Sequence, residues 1–434
     1  MPAPHSQKAA ATPGPPEPLL TPETPLTRRG LPVDPTLAGL ATATLVNTVG
    51  NGAVMTTTAL YFTRVVGLSA TQIGTALSVA AAVALVSQLP LGHLGDLRGP
   101  REVLAGLTAA TGLVTLGLLV TRSFWGLVLV LAAEAFFDRG ASAVRNGYIA
   151  RVATRGRGVA FKAYLRSVTN IGISVGALLG GLALAVDRPW AYLSVFALNA
   201  VSFLATAVVV TRLPHLEPAP ERAEGESRLQ VVRDRPFVLV SVLTGLFAIH
   251  FFVVELALPL WIAGHTNAPT VLVALTLLVN TVAVAIFQVR LSRGADTVPA
   301  AARRMVVGGV WVTAGFAVIA FAGGVPTWLA VVLLLGGAGL HVVGEMVGSA
   351  GQWGVQMGLA PQERQGQYQG FAGMSFSLAS IIAPPLTAAL CIGWGRPGWL
   401  VMGALVLLAA VGNVPASQWA MRTRGRYGVL THTG

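Results

Sequence analysis

The sequence predicts an all-α membrane protein of twelve transmembrane helices with both termini cytoplasmic, and three observations carry that prediction. The 434 residues are 54% hydrophobic and only 11% charged, where a soluble domain has about 25% charged residues. Apolar runs of roughly 20 residues, the length that a hydrocarbon layer of about 30 Å requires, recur along the chain between charges and turn residues. Lysine and arginine fall almost wholly on one side of those runs.

Taken in order, residues 1–35 are rich in proline and threonine and read as a disordered cytoplasmic tail. No charged-then-apolar leader with a small-residue cleavage site opens the chain, so the first run, Leu37 to Phe62, is expected to be an uncleaved span. Ala70 to Leu89, Val103 to Val120, Phe124 to Gly147, Val168 to Val186 and Trp190 to Val210 complete six spans within residues 36–212. A polar cytoplasmic linker, 213–236, leads to a second six-helix half, 237–420. Its spans are Phe237 to Ala263, Thr270 to Phe287, Met305 to Ala322, Trp328 to Ala350, Gly370 to Ile392 and Trp399 to Val414, and residues 421–434 form a cytoplasmic tail.

With both termini inside, the outer loops hold only Arg64, Arg122, Arg188 and Arg396. Arg139 and Arg145 lie within the fourth run, and every other lysine and arginine falls on the inner side, Lys162 and Arg166 counted among the loop charges. The net charge of +12 is then matched by anionic lipid at the inner leaflet, and no nucleic-acid partner is expected. Cys391, the only cysteine, lies inside an apolar run, so neither a disulfide framework nor a cysteine-based metal site is expected. The sequence thus predicts a multi-pass protein of the cell membrane, monomeric, surrounded by lipid.

Six spans, a linker and six spans suggest an internal repeat. Gln88, Leu91 and Asp96 after the second run recur at the same spacing as Gln288, Leu291 and Asp296 after the eighth. Glu134, Asp138, Ser142, Arg145 and Gly147 likewise align with His341, Glu345, Ser349, Gln352 and Gly354, every polar position being polar again.

The first inner loop, Gly92-His-Leu-Gly-Asp96-Leu-Arg98-Gly99-Pro-Arg101, resembles the loop signature of the major facilitator superfamily. The resemblance implies that family's fold, two six-helix halves, over nearly the whole chain. It assigns a cytoplasmic gate to Gly92, Asp96, Arg98, Gly99 and Arg101, although Leu97 stands where the signature has a basic residue. Physically, a carboxylate at one helix end can dock on the positive N-terminus of another and pair with nearby arginines, which makes a breakable latch. In the family it steadies the outward-facing state, with Glu102 adding a capping charge. Gly172, Gly176, Gly180 and Gly181 resemble the family's antiporter motif in the fifth span, with Ala177 where a proline is usual. Plain small-residue packing explains the same glycines. Glu134 stands near the point where drug exporters of the family carry an arginine.

Positions 134, 138, 142 and 145 fall on one helical stripe, as do 341, 345, 349 and 352. Insertion scales charge about 2.5–3.5 kcal/mol for an ionised side chain at a helix centre, so Glu134, Asp138 and Arg139 are expected to face a wet cavity or one another. Arg145 can instead snorkel to the interface, Arg139 can neutralise a neighbouring acid, and Glu134 with Asp138 can form a static pair. Glu255, followed by Pro259 that can break the seventh helix, is a further coupling candidate or a helix-end acid near water. Asn47, Asn51, His250, Asn280, His341, Gln352 and Trp353 are the candidate cavity lining.

A buried carboxylate that exchanges protons with alternating sides is what proton coupling needs, so Glu134, Asp138, Glu345 and Glu255 are the coupling candidates, with Arg139 and Arg145 as charge partners. There is no phosphate-cradling Gly-x-x-x-x-Gly-Lys-Ser/Thr loop, so the gradient of an ion is the expected driver, with protons as the coupling ion and no cofactor or metal. The reading is a proton-coupled antiporter exporting small organic molecules. A proton symporter for uptake and a non-transporting receptor remain open. An enzyme is not expected, since His341-x-x-x-Glu345 is the nearest approach to a catalytic motif and no His-Glu-x-x-His occurs.

Overall fold

The computed structural model describes residues 32–153, 157–220 and 229–427. Most of the expected N-terminal tail, part of the linker and half of the C-terminal tail lie outside the described residues, and with them Lys8, Arg28, Arg29, Arg155, Arg222 and Arg228. The described chain is all-helical.

Helix α1, Pro35–Arg64, starts where the Asp34 carboxylate accepts from the N–H groups of Thr36 and Leu37 and Pro35 needs no donor partner. Helix α2, Ala70–Arg98, opens with a reciprocal cap between Ser69 and Gln72. Helix α3, Pro100–Thr115, continues past Leu116 as one further turn, Gly117–Val120. Ser123 caps α4, Phe124–Val152, and α5, Arg157–Val186, and α6, Pro189–Thr211, complete the first set. Asp234 caps α7, Arg235–His265. Then come α8, Val271–Leu291, α9, Val298–Ala320, and α10, Thr327–Leu359. Helix α11, Gln365–Thr387, passes into a π-helical turn, Ala388–Trp394, that stops at Gly395 with φ 69°, and α12, Arg396–Thr423, follows.

Among the described residues ten segments are long and apolar enough to cross a membrane. Helices α1 and α4 have the length but a more polar composition: Asn47, Asn51 and several threonines lower the hydropathy of α1, and Glu134, Asp138, Arg139 and Arg145 interrupt α4. Several helices outrun the apolar stretches. Helix α5 begins at Arg157 where the apolar run begins at Val168, and α10 continues to Leu359, beyond Ala350. Apolarity marks what lipid requires, whereas a helix continues through polar turns that protein or water can satisfy. The expected break at Pro259 does not occur. Helix α7 runs through it unbroken, since a proline removes one hydrogen bond and the packed neighbours hold the rest of the backbone in place.

Packing repeats with a shift of six. Helix α1 lies on α5 and α6, α2 on α4, and α3 on α4 and α6; α7 lies on α11 and α12, α8 on α10, and α9 on α10 and α12. Small residues set the closest approaches. A Cβ on Gly176 would run into the backbone of Val49, Gly52 and Ala53 in α1, and Gly172 and Gly180 face the same helix at Thr48 and Thr56. Gly181, grouped with these glycines in the sequence, meets nothing, because one residue is 100° of rotation away from Gly180.

Between the two sets, α11 packs on α2 and α4, and α5 packs on α8 and α10, which is the same arrangement under the shift of six. The hydrogen bonds that join the sets lie from the middle of the bundle toward the end holding the start of α1 and the end of α12, here the termini end. At that end residues 213–220 form a strap along the first set. The strap carbonyls of Leu213, Pro214 and Glu217 accept from Arg101 (3.0 Å), Tyr148 (2.9 Å) and Arg151 (2.6 Å), and Ala219 N–H donates to the Asp96 carbonyl at 2.7 Å. The second set has its own tie, the buried Arg424, which donates to Asp234 at 2.7 Å and to the Leu359 carbonyl.

Candidate functional site: a central cavity and its cross-link

A cavity of about 500 Å³ lies between the two sets of helices, a volume suited to a small organic molecule. Its first wall comes from Thr44 of α1, Ser142, Arg145 and Asn146 of α4, and Lys162, Arg166, Thr169 and Asn170 of α5. The α5 residues are spaced four, three and one apart, so helical geometry alone puts them on one face. The opposite wall is aromatic: Phe251 and Phe252 with Glu255 from α7, Ser349, Gln352 and Trp353 from α10, and Phe376 from α11.

At the edge of the cavity the walls are joined by charge. Arg166 of α5 forms an ion pair with Glu345 of α10 and donates to Ser349 Oγ at 3.0 Å. The second oxygen of Glu345 accepts from Asn280 of α8 at 2.9 Å, and the Phe251 ring stacks under the guanidinium at 4.9 Å. Glu345 is only 4% exposed, so both of its oxygens are satisfied in a place water barely reaches. Behind it His341 Nδ1 lies 3.8 Å from Glu345, and His341 Nε2 meets His250 Nδ1 at 3.1 Å. The arrangement ties α5 to α10 and α8 through the two oxygens of one carboxylate.

The residues expected to form a gate gather at the termini end, where Asp96 meets a helix N-terminus but other arginines than those expected. The Asp96 carboxylate, 2% exposed, accepts from the N–H groups of Gly366 (2.8 Å) and Gln367 (2.7 Å) in the first turn of α11. Gly92 allows this approach, since a Cβ there would strike the Gly366 carbonyl, and Gly99 turns the chain with φ 93°. Arg98 is exposed, and Arg101 pairs with Glu102 at 2.6 Å and with the strap. The guanidinium charges that reach Asp96 are those of Arg151 and Arg364.

Of the other residues singled out, Glu255, Arg145, Gln352 and Trp353 line the cavity. Asn280, His341 and His250 do not line it but stand behind Glu345. Asn47 and Asn51 bond to each other at 3.3 Å within α1, off the cavity wall. Glu134 faces α3, where Thr115 donates to it at 3.2 Å, and not the cavity. Asp138 lies 4.0 Å from its neighbour Arg139, whose side chain is exposed, and neither lines the cavity. Lys162 and Arg166, counted as loop charges in the sequence, belong to the cavity. Their spacing with Thr169 and Asn170 was the available signal. Among the described residues no group of three or more His, Cys, Asp or Glu side chains could hold a metal ion.

The sequence pattern of the Major Facilitator Superfamily matches residues 40–355. The chain belongs to the major facilitator superfamily. Solved structures of the superfamily share its fold. A bacterial homologue of the iron transporter ferroportin, in its outward-facing state, is 16% identical, with 89% of this chain and 99% of that chain covered at a TM-score of 0.69. The fucose:proton symporter of E. coli is 11% identical, covering 88% and 98% at 0.66. The proton:xylose symporter XylE is 13% identical, covering 87% and 94% at 0.64. As a major facilitator superfamily member the chain is a multi-pass membrane transporter, and family and fold point to small-molecule transport and not to an enzyme.

Proposed function

We propose that this chain is a proton-coupled antiporter that exports small organic molecules across the cell membrane by alternating access. The supporting observation is the Arg166–Glu345 pair at the edge of the cavity. Ionised, Glu345 joins α5 to α10 across the two halves. A proton taken from outside onto a Glu345 oxygen replaces the ion pair with a weaker hydrogen bond from the still-charged Arg166 guanidinium to a neutral carboxyl and loosens that join. Loss of the proton to the cytoplasm restores it, and substrate in the cavity competes with the protonated form. Of the four coupling candidates, Glu345 and Glu255 stand next to the cavity and take the proton-coupling role in this reading; Glu134 and Asp138 act in shaping α4.

In the same reading twelve helices span the membrane, with halves at 36–212 and 237–420, a cytoplasmic linker at 213–236 and cytoplasmic tails at 1–35 and 421–434. The termini end faces the cytoplasm because the basic residues gather there, so the conformation described has its cytoplasmic end latched by Asp96. The protein acts as a monomer without a cofactor, with protons as its coupling ion. A second reading, uptake by proton symport, is favoured by the two symporters that share the fold, and the same ion pair serves it.

The test is uptake of a panel of small organic molecules into everted membrane vesicles under an imposed pH gradient, acid inside. Wild type is expected to accumulate substrate, Glu345→Gln to lose gradient-driven accumulation, and Asp138→Asn to keep it. Uphill transport by Glu345→Gln at the wild-type rate would overturn the coupling assignment, and substrate moving in the direction of the proton would replace export with uptake.

A further inference from the structure

The cations of the cavity are unevenly compensated. Arg166 has Glu345. Arg145 and Lys162, which line the same wall, have no carboxylate partner among the described residues; Arg145 makes one long bond, 3.4 Å, to the Ser142 hydroxyl. The two are near enough for the charge of one to reach the other. Two like charges in a half-buried wall repel each other and are poorly solvated, and the acid whose charge reaches Arg145 is Asp138 of its own helix, which does not line the cavity. The one acid lining the cavity, Glu255, stands on the opposite wall with the aromatic rings.

We infer that the cavity binds amphipathic organic anions, with the carboxylate held between Arg145 and Lys162 and an aromatic or aliphatic body laid against Phe251, Phe252, Trp353 and Phe376. The inference rests on the reading of this cavity as the transport site and adds the substrate class. The carboxylate supplies the countercharge that the first wall lacks. The opposite wall supplies apolar area to which a sugar or an inorganic anion would make little use of its surface. The volume of about 500 Å³ admits a body of two or three fused rings and rules out a long-chain peptide. A cationic drug meets the reverse arrangement, with Arg145 and Lys162 opposing its entry and only Glu255 favouring it.

The test is equilibrium binding to the purified full-length protein in lipid nanodiscs with three radiolabelled probes of one shape: 2-naphthoate, 2-naphthamide and 2-naphthylmethylammonium. A charge-assisted contact is worth about 1.5–3 kcal/mol, so naphthoate is expected to bind at least about tenfold tighter than the amide, and the ammonium more weakly than either. Lys162→Met and Arg145→Met are each expected to erase most of that preference while elution stays monodisperse and amide binding is unchanged. Lys162→Arg, which keeps the charge, is expected to retain it. Absence of saturable naphthoate binding, equal binding of the amide, tighter binding of the ammonium, or a Lys162→Met protein that binds naphthoate like wild type would each overturn the inference. The assay needs no flux, which separates the two readings. Selective naphthoate binding beside proton-independent transport would refute only the coupling mechanism. Proton-driven uptake of the ammonium and not of naphthoate would refute only the substrate class.

Discussion

Helices α5 and α11 hold the same position in their respective halves, and each reaches across to two helices of the other half, yet they grip in different ways. From Gln365 to Thr387 helix α11 contains no charged residue. It approaches α2 and α4 through Gly366 and Gly370, so close that a Cβ at either would meet the backbone of Gly92 or Gln88, and it offers its first N–H groups to Asp96. Helix α5 instead presents Lys162 and Arg166, binds Glu345 through a guanidinium, and adds a bond from Ser167 to the Val284 carbonyl at 3.0 Å. One crossing therefore depends on shape and backbone geometry at the end of the bundle. The other depends on an ion pair beside the cavity.

The largest effect is expected where the α5 grip is broken on one side only. Glu345→Ala leaves the Arg166 guanidinium, 22% exposed on the cavity wall, without its acid, and a loss of about 2–4 kcal/mol is expected in thermal unfolding in detergent. Converting both residues to methionine should recover most of that stability while abolishing proton coupling, whereas an Arg166→Met, Glu345→Met protein as unstable as the single variant would show that the pair is not the seat of the grip. The next effect contrasts the glycines that start the two helices. A Cβ on Gly366 falls 2.7 Å from the Asp96 carboxylate and against the Gly92 carbonyl, so Gly366→Ala should cost about 1–3 kcal/mol. On Gly158 of α5 it meets the flexible end of Met357 at 3.2 Å and, in ordinary contact, Ala153 Cβ at 3.6 Å, and Gly158→Ala should stay within about 0.5 kcal/mol. Equal costs would show that α11 is held no more by shape than α5.

The smallest effect lies at the opposite end, where neither grip reaches. Asp187, in the turn between α5 and α6 with φ 48°, accepts from the Tyr192 hydroxyl and from Arg64 at 3.3 Å. The Tyr192 hydrogen bond, and then the Arg64 charge, hold its carboxyl below the usual aspartate range, so its folded value lies under the unfolded one near 3.9. Its contribution is present above that unfolded value and is lost as pH falls through the depressed folded value. Asp187→Asn, which tolerates the same backbone, should therefore melt slightly below wild type at pH 7, and the two melting curves should converge as the pH is taken below about 4. A gap that persists in acid would mean that the carboxyl charge contributes nothing there.

The sequence made the latch legible because Asp96 sits in a short, regularly spaced loop whose chemistry is local. Glu345 was legible as a carboxylate inside an apolar run. Its partner was not, because Arg166 precedes the apolar part of α5 and reads as a loop charge, and pairing depends on how far α5 is rotated toward α10. The same rotation decides the fate of Glu134, which shares a stripe with Arg145 but turns to Thr115 of α3. Hydropathy counts residues along a helix. It does not say which neighbour each face meets, and for α4 two neighbours compete for one polar stripe.

The strap at 213–220 has a bearing on how far the two halves can part. It is moored to the first half beside Asp96, while Val231 N–H, on the other bank, is bound to the Gln367 side chain of α11 at 3.1 Å. Each mooring is fixed to its own set of helices. The intervening chain from Ala219 to Gln230 can pay out at most about 3.3–3.6 Å per residue, roughly 35–40 Å in all. That contour length sets an upper bound on the separation of the two moorings, whatever the helices between them do.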